Sequence, residues 1–287
     1  MSSLIRKAGS RNGFRRKTPF GVVCRKGSGD AYGDAGSNGN CKSQGALRLM
    51  KAMIFAAGLG TRLGELSRER PKALVEISGK SALRLACEKL TSSGFDDIIV
   101  NIHHHPSLMM EQIEKLRNEG FKITVSDETG ELLDTAGGLL KARPFFSDEP
   151  FICYSVDIFT DLDLNDMYSR HMESGALATL ATRHRPGTRF LLVDKNGRMC
   201  GWRNVATKEE ITTKGSSSGL SETGFSSIQV LSPSIFDKMP EGIYSLTSLY
   251  LMLARENKIM TYPHDTGYWF DCGTPANLEK IRKYLNR

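Results

Sequence analysis

Between residues 50 and 174, short apolar runs alternate with segments whose apolar residues recur at helical spacing. A short apolar run bounded by glycine or polar residues is typical of a buried strand, whereas an amphipathic segment closed by glycine is typical of a helix. The predicted strands lie at residues 51–57, 98–102, 122–126 and 151–156. The predicted helices lie at residues 81–93, 109–119 and 164–174. Strands that alternate with helices favour a mostly parallel sheet covered on both faces.

The second half of the chain adds segments that are typical of antiparallel pairing. The turn sequence DKNG at 194–197 separates two apolar runs, which predicts a β-hairpin. The predicted strands of this half lie at residues 178–182, 190–193, 199–202, 225–231, 259–262 and 268–270, and the predicted helices at 245–255 and 275–284. We therefore predict an α/β fold with a mixed, mostly parallel central sheet, formed as one domain by residues 50–287.

Residues 1–49 differ from the rest of the chain in composition. They are rich in Gly, Ser and basic residues and lack periodicity, which predicts a disordered tail. They hold ten Lys or Arg against two Asp, a net charge of +8, so the remaining residues carry −1 of the chain's +7. Nucleic-acid binding normally requires a basic patch on a folded surface, so no nucleic-acid partner is predicted. The tail lacks the apolar segment of a secretory signal, and an organellar transit peptide is the less favoured alternative.

The cysteines and the lengths of the apolar runs indicate the compartment. The six cysteines are scattered, with no CxxC pair and no zinc-like spacing. We interpret them as reduced thiols of a cytoplasmic protein. No apolar run approaches the ~20 residues needed to cross a bilayer, so no membrane partner is predicted.

The residues that could carry chemistry lie in loops after predicted strands, beginning with the glycine-rich segment 56–63 (AAGLGTRL). In such sheets, ligands bind beyond the carboxyl ends of the strands. The two glycines let backbone N–H groups approach a polyphosphate, and the planar guanidinium of Arg62 suits phosphate oxygens. Two commoner phosphate motifs are excluded, because Leu63 replaces the last glycine of the dinucleotide fingerprint and Leu74 replaces the first glycine of a P-loop.

The glycine-rich segment, together with PKAL at 71–74, resembles the signature of the sugar nucleotidyltransferases, which runs roughly GxGTRL…PKxL. The resemblance covers most of the chain after residue 50 and implies a Rossmann-like, three-layer α/β/α nucleotidyltransferase fold. It implies that Arg62 steadies the departing pyrophosphate and that Lys72 binds phosphate in the transition state, which makes these two the expected catalytic residues. The nucleotide-binding residues that it implies in the loop are Ala57, Gly58, Gly60 and Thr61.

Two aspartates match the positions at which this family holds its metal ion. Asp157 follows the predicted strand 151–156, and Asp271 lies in WFDCGTP at 269–275, which resembles the family's W-x-D-x-G-T-P. Negative charge opposes phosphoryl-type transfer, and Mg²⁺ needs only one or two protein carboxylates. The resemblance therefore implies that Asp157 and Asp271 hold Mg²⁺ as the cofactor.

The surroundings of Asp157 depart from the family pattern. The family usually has Asn-Gly before this aspartate, whereas Ser155 and Val156 stand here, and the valine is expected to crowd the site. Asp161 and Asp163 follow closely along the chain. We interpret these two as loop or helix-capping residues rather than as metal ligands.

Residues 131–139 (ELLDTAGGL) resemble the family loop that contacts the nucleobase. The resemblance implies nucleotide contacts from Thr135, Gly137 and Gly138. A helix that starts at Asp134 or Thr135 is equally compatible with the segment and does not exclude a nucleotide contact.

The resemblance therefore implies an enzyme that transfers a nucleoside monophosphate from an NTP to a sugar 1-phosphate, giving an NDP-sugar and pyrophosphate. The chain lacks a Glu-Lys-Pro segment found in several subfamilies, and it looks more like the N-acetylmuramate-1-phosphate uridylyltransferases or the mannose-1-phosphate guanylyltransferases. The expected partners are therefore UTP or GTP and a sugar 1-phosphate. A catalytically inactive homologue that binds nucleotide or sugar as a regulatory subunit is the alternative.

Overall fold

A mixed sheet of ten strands forms the centre of the computed structural model, which describes residues 50–64, 68, 70–213 and 215–285. The prediction of a disordered tail at 1–49 lies outside the described residues. The strand order is β11-β10-β9-β12-β6-β1-β4-β5, and β8 joins the sheet between β12 and β13. The strands of this sheet are β1 (Lys51–Phe55), β4 (Asp97–Ile102), β5 (Lys122–Asp127), β6 (Phe151–Ser155), β8 (Ala178–Arg183), β9 (Arg189–Val193), β10 (Met199–Asn204), β11 (Glu209–Thr212), β12 (Ser221–Leu231) and β13 (Ile259–Pro263).

Two short antiparallel ribbons lie outside the main sheet. One pairs β2 (Glu76–Ile77) with β3 (Lys80–Ser81), and the other pairs β7 (Ile158–Thr160) with β14 (Trp269–Asp271). The strands β2, β3, β7 and β11 were not predicted, because runs of two to four residues are too short to show a period.

Six α-helices flank the sheet within the described residues. They are α1 (Ala82–Ser92), α2 (Pro106–Asn118), α3 (Asp134–Lys141), α4 (Leu164–Ser174), α5 (Leu246–Leu253) and α6 (Pro275–Leu285). Five of them confirm predicted helices. Helix α3 shows that the interpretation of 131–139 as a loop was incomplete, since a helix begins at Asp134, which was the alternative.

The two faces of the sheet carry two separate cores. Along β1, Ala52 and Ile54 belong to one buried cluster, while Met53 and Phe55 belong to the other, as expected for side chains that alternate across a strand. Helices α1, α2 and α4 cover the first face, and α3 and α5 cover the second. The result is the predicted three-layer α/β/α arrangement.

The sheet is mixed, as the sequence predicted, but the second half of the chain also contributes one parallel pair, β8 with β13. Strands β1, β4, β5 and β6 are paired in parallel, whereas β12 runs antiparallel to β6, β8 and β9. The turn Asp194–Gly197 closes the predicted hairpin between β9 and β10, with Gly197 N–H donating to the Asp194 carbonyl at 2.9 Å. The carboxyl ends of β1, β4 and β6 therefore meet at one edge.

Over the part of the chain that the structure describes, no helix is both long and apolar enough to span a bilayer.

A buried histidine is expected to make the stability of the fold depend on pH. His171 on α4 is 2% exposed. Ser232 Oγ donates to the Ala176 carbonyl, so it accepts from His171 Nε2 at 3.1 Å, and Nδ1 faces Thr179 Oγ1 at 2.9 Å. Burial lowers the pKa of His171 from 6.5 to about 4.

The unfolded chain therefore takes up a proton between pH 6.5 and 4 that the folded chain does not. The free energy of unfolding therefore has its full value above pH 6.5, as far as His171 is concerned. It falls by about 3 kcal/mol as the pH falls towards 4. Denaturant unfolding across this range should show a smaller loss for His171→Gln than for the wild type. A slope remains in the variant, because burial also lowers the pKa of His264 to about 4; identical slopes would contradict the assignment to His171.

Candidate active site

A cavity of about 590 Å³ opens where β1, β4 and β6 end. Such an edge is the general place for ligands in sheets of this kind. Its walls come from the glycine-rich segment after β1, the turn after β6, the start of α3 and the end of β14. The lining includes Ala57, Gly58, Arg62, Lys72, Asn101, Glu128, Thr135, Asp157, Arg185, Trp269 and Asp271.

The structure brings Asp157 and Asp271 together through the ribbon of β7 and β14. Asp157 lies in the tight turn between β6 and β7, and Asp271 is the last residue of β14, paired with Ile158. The backbone N–H of Cys272 donates to the Asp157 carbonyl at 2.8 Å, which fixes the two segments to each other. The two carboxyl groups interact directly with each other. Side chains that are far apart in sequence thus share one small volume.

Each of the two aspartates has its own cation. Lys72 Nζ donates to the carboxylate of Asp157, and Arg62 contacts Asp271 Oδ2 at 3.4 Å. Lys72 begins a short 3₁₀ turn, Lys72–Leu74, directly after Pro71, so the proline fixes the direction in which the lysine leaves the backbone. The four predicted residues Arg62, Lys72, Asp157 and Asp271 therefore lie around one point of the cavity.

The pKa values of the two carboxyl groups are shifted in opposite directions. Burial raises the pKa of Asp157; the positive charge of Lys72 opposes this effect, and the neighbouring carboxyl group of Asp271 adds to it. Burial also acts to raise the pKa of Asp271, but the hydrogen bond from the Gly273 N–H and the charge of Arg62 hold it below its usual value. Two carboxyl groups that lie close together repel each other when both are ionised. A cation bound by both of them would relieve this repulsion.

The donor set of this pair fits a hard divalent cation. Mg²⁺ takes one or two carboxylates and completes its shell with water and phosphate oxygens. Among the described residues, no cluster of three or more His, Cys, Asp or Glu is arranged to hold a metal. Two neighbouring carboxylates such as those of Asp157 and Asp271 have the chemistry that suits a metal shared with a phosphate ligand.

The neighbouring aspartates make capping and loop hydrogen bonds. Asp163 is the N-cap of α4 and accepts hydrogen bonds from the N–H groups of Asn165 and Asp166, each at 3.0 Å. Asp161 accepts from the Tyr268 N–H at 2.9 Å. Val156 is buried and packs in the core while it lines the cavity.

The glycine-rich segment is held in place by Asn101, a residue that the sequence reasoning missed. Asn101 is the second-last residue of β4, and its Oδ1 accepts from the N–H groups of Ala56 at 2.7 Å and Ala57 at 3.3 Å. Its Nδ2 donates to Glu128 Oε1 at 2.7 Å. A buried polar side chain at the end of an apolar strand was the available signal, but its partners lie 27 and 45 residues away.

Glu128 follows β5 and is fully buried. Burial raises the pKa of its carboxyl group, and the hydrogen bond from Asn101 opposes the effect. Gly138 on α3 permits this position, because a Cβ there would lie 2.5 Å from Glu128 Oε1. The Asn101–Glu128 pair therefore links the glycine-rich segment to helix α3.

Replacing Asn101 with Leu is expected to misplace the glycine-rich segment. The variant keeps the volume of the side chain but leaves the N–H groups of Ala56 and Ala57 and the carboxyl group of Glu128 without their partner, at a cost of about 1–3 kcal/mol for each group. A thermal melt should show a lower Tm, and titration with NTP should show weaker binding. Lowered Tm with unchanged NTP affinity would contradict a role of Asn101 in positioning the segment.

Of the three residues predicted to contact the nucleobase, one lines the cavity and two are packed within the fold. Thr135 lines the cavity, and its Oγ1 accepts from the Leu246 N–H at 2.9 Å. Gly137 is buried within α3, where a Cβ would lie 2.6 Å from the carbonyl oxygen of Gly242. Gly137 and Gly138 thus allow close packing of α3 and are not among the lining residues.

The loop predicted to cover the phosphates is partly in the cavity wall. Ala57 and Gly58 line the cavity, whereas Gly60 and Thr61 lie beyond its lining. Gly60 has a φ of 66°, a left-handed conformation that glycine adopts without strain. It allows the loop to turn into the 3₁₀ segment Thr61–Leu63, which carries Arg62 back towards Asp271.

Comparison with known proteins identifies the family of the chain. Residues 51–287 match the family model described as Nucleotidyl transferase, and the chain belongs to that family.

Three relatives show the range of the family. The chain is 31% identical to the UTP–glucose-1-phosphate uridylyltransferase of Synechocystis sp., over 83% of this chain and 64% of that protein. It is 27% identical to the N-acetylmuramate alpha-1-phosphate uridylyltransferase of Neisseria meningitidis, over 81% and 97%, and 31% identical to the mannose-1-phosphate guanyltransferase of Yarrowia lipolytica, over 80% and 62%. It therefore spans less than two thirds of the Synechocystis and Yarrowia proteins.

Solved structures share the fold. HddC from Yersinia pseudotuberculosis has a TM-score of 0.66 at 23% identity, over 82% of this chain and 99% of that one. UDP-glucose pyrophosphorylase from Acinetobacter baumanii has a TM-score of 0.64 at 21% identity, over 83% and 93%. The predicted nucleotidyltransferase fold is confirmed.

Proposed function

We propose that this protein transfers a nucleoside monophosphate from an NTP to a sugar 1-phosphate, and that Asp157, Asp271, Arg62 and Lys72 carry the reaction. The observation that supports this most directly is the meeting of two carboxylates and two cations at the mouth of the glycine-rich segment. Negative charge on phosphate groups is the main obstacle to such a transfer. The four side chains supply both metal ligands and positive charge where the phosphates would lie.

The reaction is a direct in-line displacement. An oxygen of the sugar 1-phosphate attacks the α-phosphorus of the NTP and forms a new P–O bond, while the bond to the bridging oxygen breaks and pyrophosphate leaves with the electron pair. A phosphate monoester has its second pKa near ~6, so the attacking oxygen is already ionised at neutral pH. The site therefore needs no general base.

The chain's own residues position the phosphates and neutralise their charge. Lys72, at 16% side-chain exposure, holds its charge close to the reacting phosphate, whereas Arg62, at 61%, can follow the departing pyrophosphate at the cavity mouth. Asp157 and Asp271 would hold the Mg²⁺ that we propose, which would supply Lewis-acid stabilisation of the phosphate oxygens. The backbone of Ala57 to Thr61 would lie along the NTP phosphates.

The nucleotide is expected to be UTP or GTP. The relatives in the previous section are named as uridylyl- and guanylyltransferases, and a structural neighbour is described as UDP-glucose pyrophosphorylase in complex with UDP-glucose. For the sugar we propose the N-acetylmuramate or mannose type.

The described cysteines are buried free thiols, which suits our proposal of a cytoplasmic location.

Pyrophosphate release from the full-length chain tests the proposal. UTP, GTP, ATP, CTP and TTP are each combined with the 1-phosphates of glucose, mannose and N-acetylmuramate, with and without Mg²⁺. We expect release only when NTP, sugar 1-phosphate and Mg²⁺ are all present. Nucleotide binding without release in every combination would overturn the proposal and favour the regulatory-subunit alternative.

A further inference from the structure

The turn that carries Asp157 joins two separate sheets. Strand β6 belongs to the ten-stranded sheet and is paired with β1 as far as Ser155, whereas β7 begins at Ile158 and pairs with β14 in the short ribbon. Two residues, Val156 and Asp157, make the whole connection. The position of the Asp157 carboxyl group relative to Asp271 therefore depends on how this short connection is held.

The conformation of this turn does not require a glycine. A valine, Val156, stands directly before Asp157, and neither residue has a positive φ. Residues with a side chain adopt negative φ values without strain. The turn is therefore held by hydrogen bonds and not by a special backbone conformation.

Two backbone hydrogen bonds tie the turn to its neighbours. The N–H of Val156 donates to the Phe55 carbonyl at 3.2 Å, which holds the turn to β1. The N–H of Cys272 donates to the Asp157 carbonyl at 2.8 Å, which holds the turn to the end of β14. Neither of these two bonds reaches Ile158, the residue with which β7 begins.

The side chain of Tyr154 supplies a bond to that residue. Tyr154 is the second-last residue of β6, is 1% exposed and packs in the core that α1, α2 and α4 cover. Its hydroxyl donates to the Ile158 carbonyl at 2.9 Å. Burial raises the pKa of this hydroxyl, and the nearby Tyr268 and Asp157 add to the effect. The hydroxyl therefore keeps its proton and remains a donor.

Together the three bonds restrict the dihedral angles of Asp157. Because a peptide group is planar, a hydrogen bond to one of its atoms orients the whole group. The bonds orient peptide groups on both sides of Asp157, and with them the direction of its Cα–Cβ bond. A buried carbonyl that loses its donor is costly, so the turn is not released from Tyr154 without a penalty.

This restraint acts against an electrostatic repulsion. The carboxyl groups of Asp157 and Asp271 interact directly, and two ionised carboxylates repel each other until a cation lies between them. A turn that is tied to the core keeps the two groups together before the metal binds. Ligands that are held in place beforehand bind more tightly, because less ordering is needed on binding.

We infer that Tyr154 is a positioning residue of the metal site: by holding the Ile158 carbonyl, its hydroxyl keeps the Asp157 carboxylate where it shares one divalent cation with Asp271. The inference rests on the proposed function, because it concerns the metal pair of that reaction. Tyr154 is not among the residues that line the cavity, so it acts through Asp157 and not on the substrates. Its loss should weaken metal binding while the metal ligands themselves stay unchanged.

Mn²⁺ binding to the full-length chain tests the inference without turnover. Mn²⁺ is titrated into the wild type, Tyr154→Phe and Asp271→Asn, and the free ion is followed by its EPR signal. Tyr154→Phe removes one oxygen and keeps the ring, so the dissociation constant of Mn²⁺ should rise about 5- to 10-fold, the effect of losing one hydrogen bond. The Mg²⁺ concentration for half-maximal activity should rise by a similar factor, whereas saturating Mg²⁺ should restore kcat.

Tyr168→Phe is the matched control. Tyr168 on α4 donates to the carbonyl of Pro150 at 3.1 Å, directly before β6 and at the opposite end of that strand from Asp157. This variant also loses a hydrogen bond from a tyrosine hydroxyl to a backbone carbonyl. It should lower the Tm, as Tyr154→Phe does, but leave the affinity for Mn²⁺ unchanged.

The outcomes separate this inference from the proposed function. If Asp271→Asn weakens Mn²⁺ binding and Tyr154→Phe does not, or if Tyr154→Phe and Tyr168→Phe weaken it equally, the positioning role is wrong. If Asp271→Asn binds Mn²⁺ as tightly as the wild type, the ion binds elsewhere, and the metal pair fails together with the inference. If the wild type binds Mn²⁺ at the pair but shows no turnover with any substrate pair, the proposed function fails, and the Mn²⁺ titrations still decide the role of Tyr154.

Discussion

Asp271→Asn is expected to keep the fold and to lose about 10²–10³ in turnover, the usual effect of removing one electrostatic contact from a transition state. The amide matches the carboxylate in shape and can still accept from the Gly273 N–H, which donates to Oδ1 at 2.6 Å in the wild type. It removes the negative charge that faces Arg62 and Asp157. We expect half-maximal activity at a higher Mg²⁺ concentration, a lower kcat and a Tm close to the wild type.

Asp237→Asn provides the matched control for this variant. Asp237 is also an aspartate paired with an arginine, Arg143, at 2.8 Å, but it lies outside the cavity on an exposed surface. Its replacement should leave kcat and the Mg²⁺ requirement unchanged. Near-normal kinetics of Asp271→Asn would contradict the proposed metal role, and a large loss in Asp237→Asn would show that the effect is not specific to the site.

Lys72→Gln is expected to lower turnover about 10²–10³-fold as well, and in addition to destabilise the metal-free protein. Lys72 is the cation that contacts Asp157, a carboxylate that is 9% exposed. Removing one partner of a buried ion pair costs about 3–5 kcal/mol, because the other charge is left uncompensated. Thermal melts should show a lower Tm without Mg²⁺, and Mg²⁺ should restore part of the Tm but not the turnover.

This difference between stability and turnover distinguishes two roles for Lys72. If Lys72 only neutralises Asp157, Mg²⁺ should restore both the Tm and the kcat of the variant. If it also binds phosphate, the kcat stays low in saturating Mg²⁺. Lys80→Gln is the control, since Lys80 pairs with Glu88 at 2.8 Å on the surface and its loss should change neither quantity.

The elements that could be predicted are those with a local signal. The apolar run at 151–156 and the amphipathic run at 164–174 appear in the structure as Phe151–Ser155 and Leu164–Ser174, because period and glycine stops depend on near neighbours in the chain. The capping role of Asp163 was predictable for the same reason. For helix α3 the sequence left a loop and a helix as equal alternatives, because its two adjacent glycines lower helix propensity and only the packing of Gly137 against Gly242 and of Gly138 against Glu128 explains them.

The parts of the site that the sequence did not predict depend on contacts over long separations. Nothing near Asn101 in the chain indicates that its side chain fixes the N–H groups of Ala56 and Ala57. A side chain's partners across a sheet depend on strand order, which a single sequence does not specify.

The sequence by itself determined the class of fold, the positions of most strands and helices, and the residue types available for phosphate and metal chemistry, since these follow from local periodicity, turn residues and motif spacing. Only the tertiary structure decided which of those residues meet. The pairing of β7 with β14 places Asp271 beside Asp157, and the pairing of β1 with β4 places Asn101 beside the start of the glycine-rich segment. The physical reason is that hydrogen bonding between strands acts between segments that are distant along the chain, and it sets distances that no local pattern encodes.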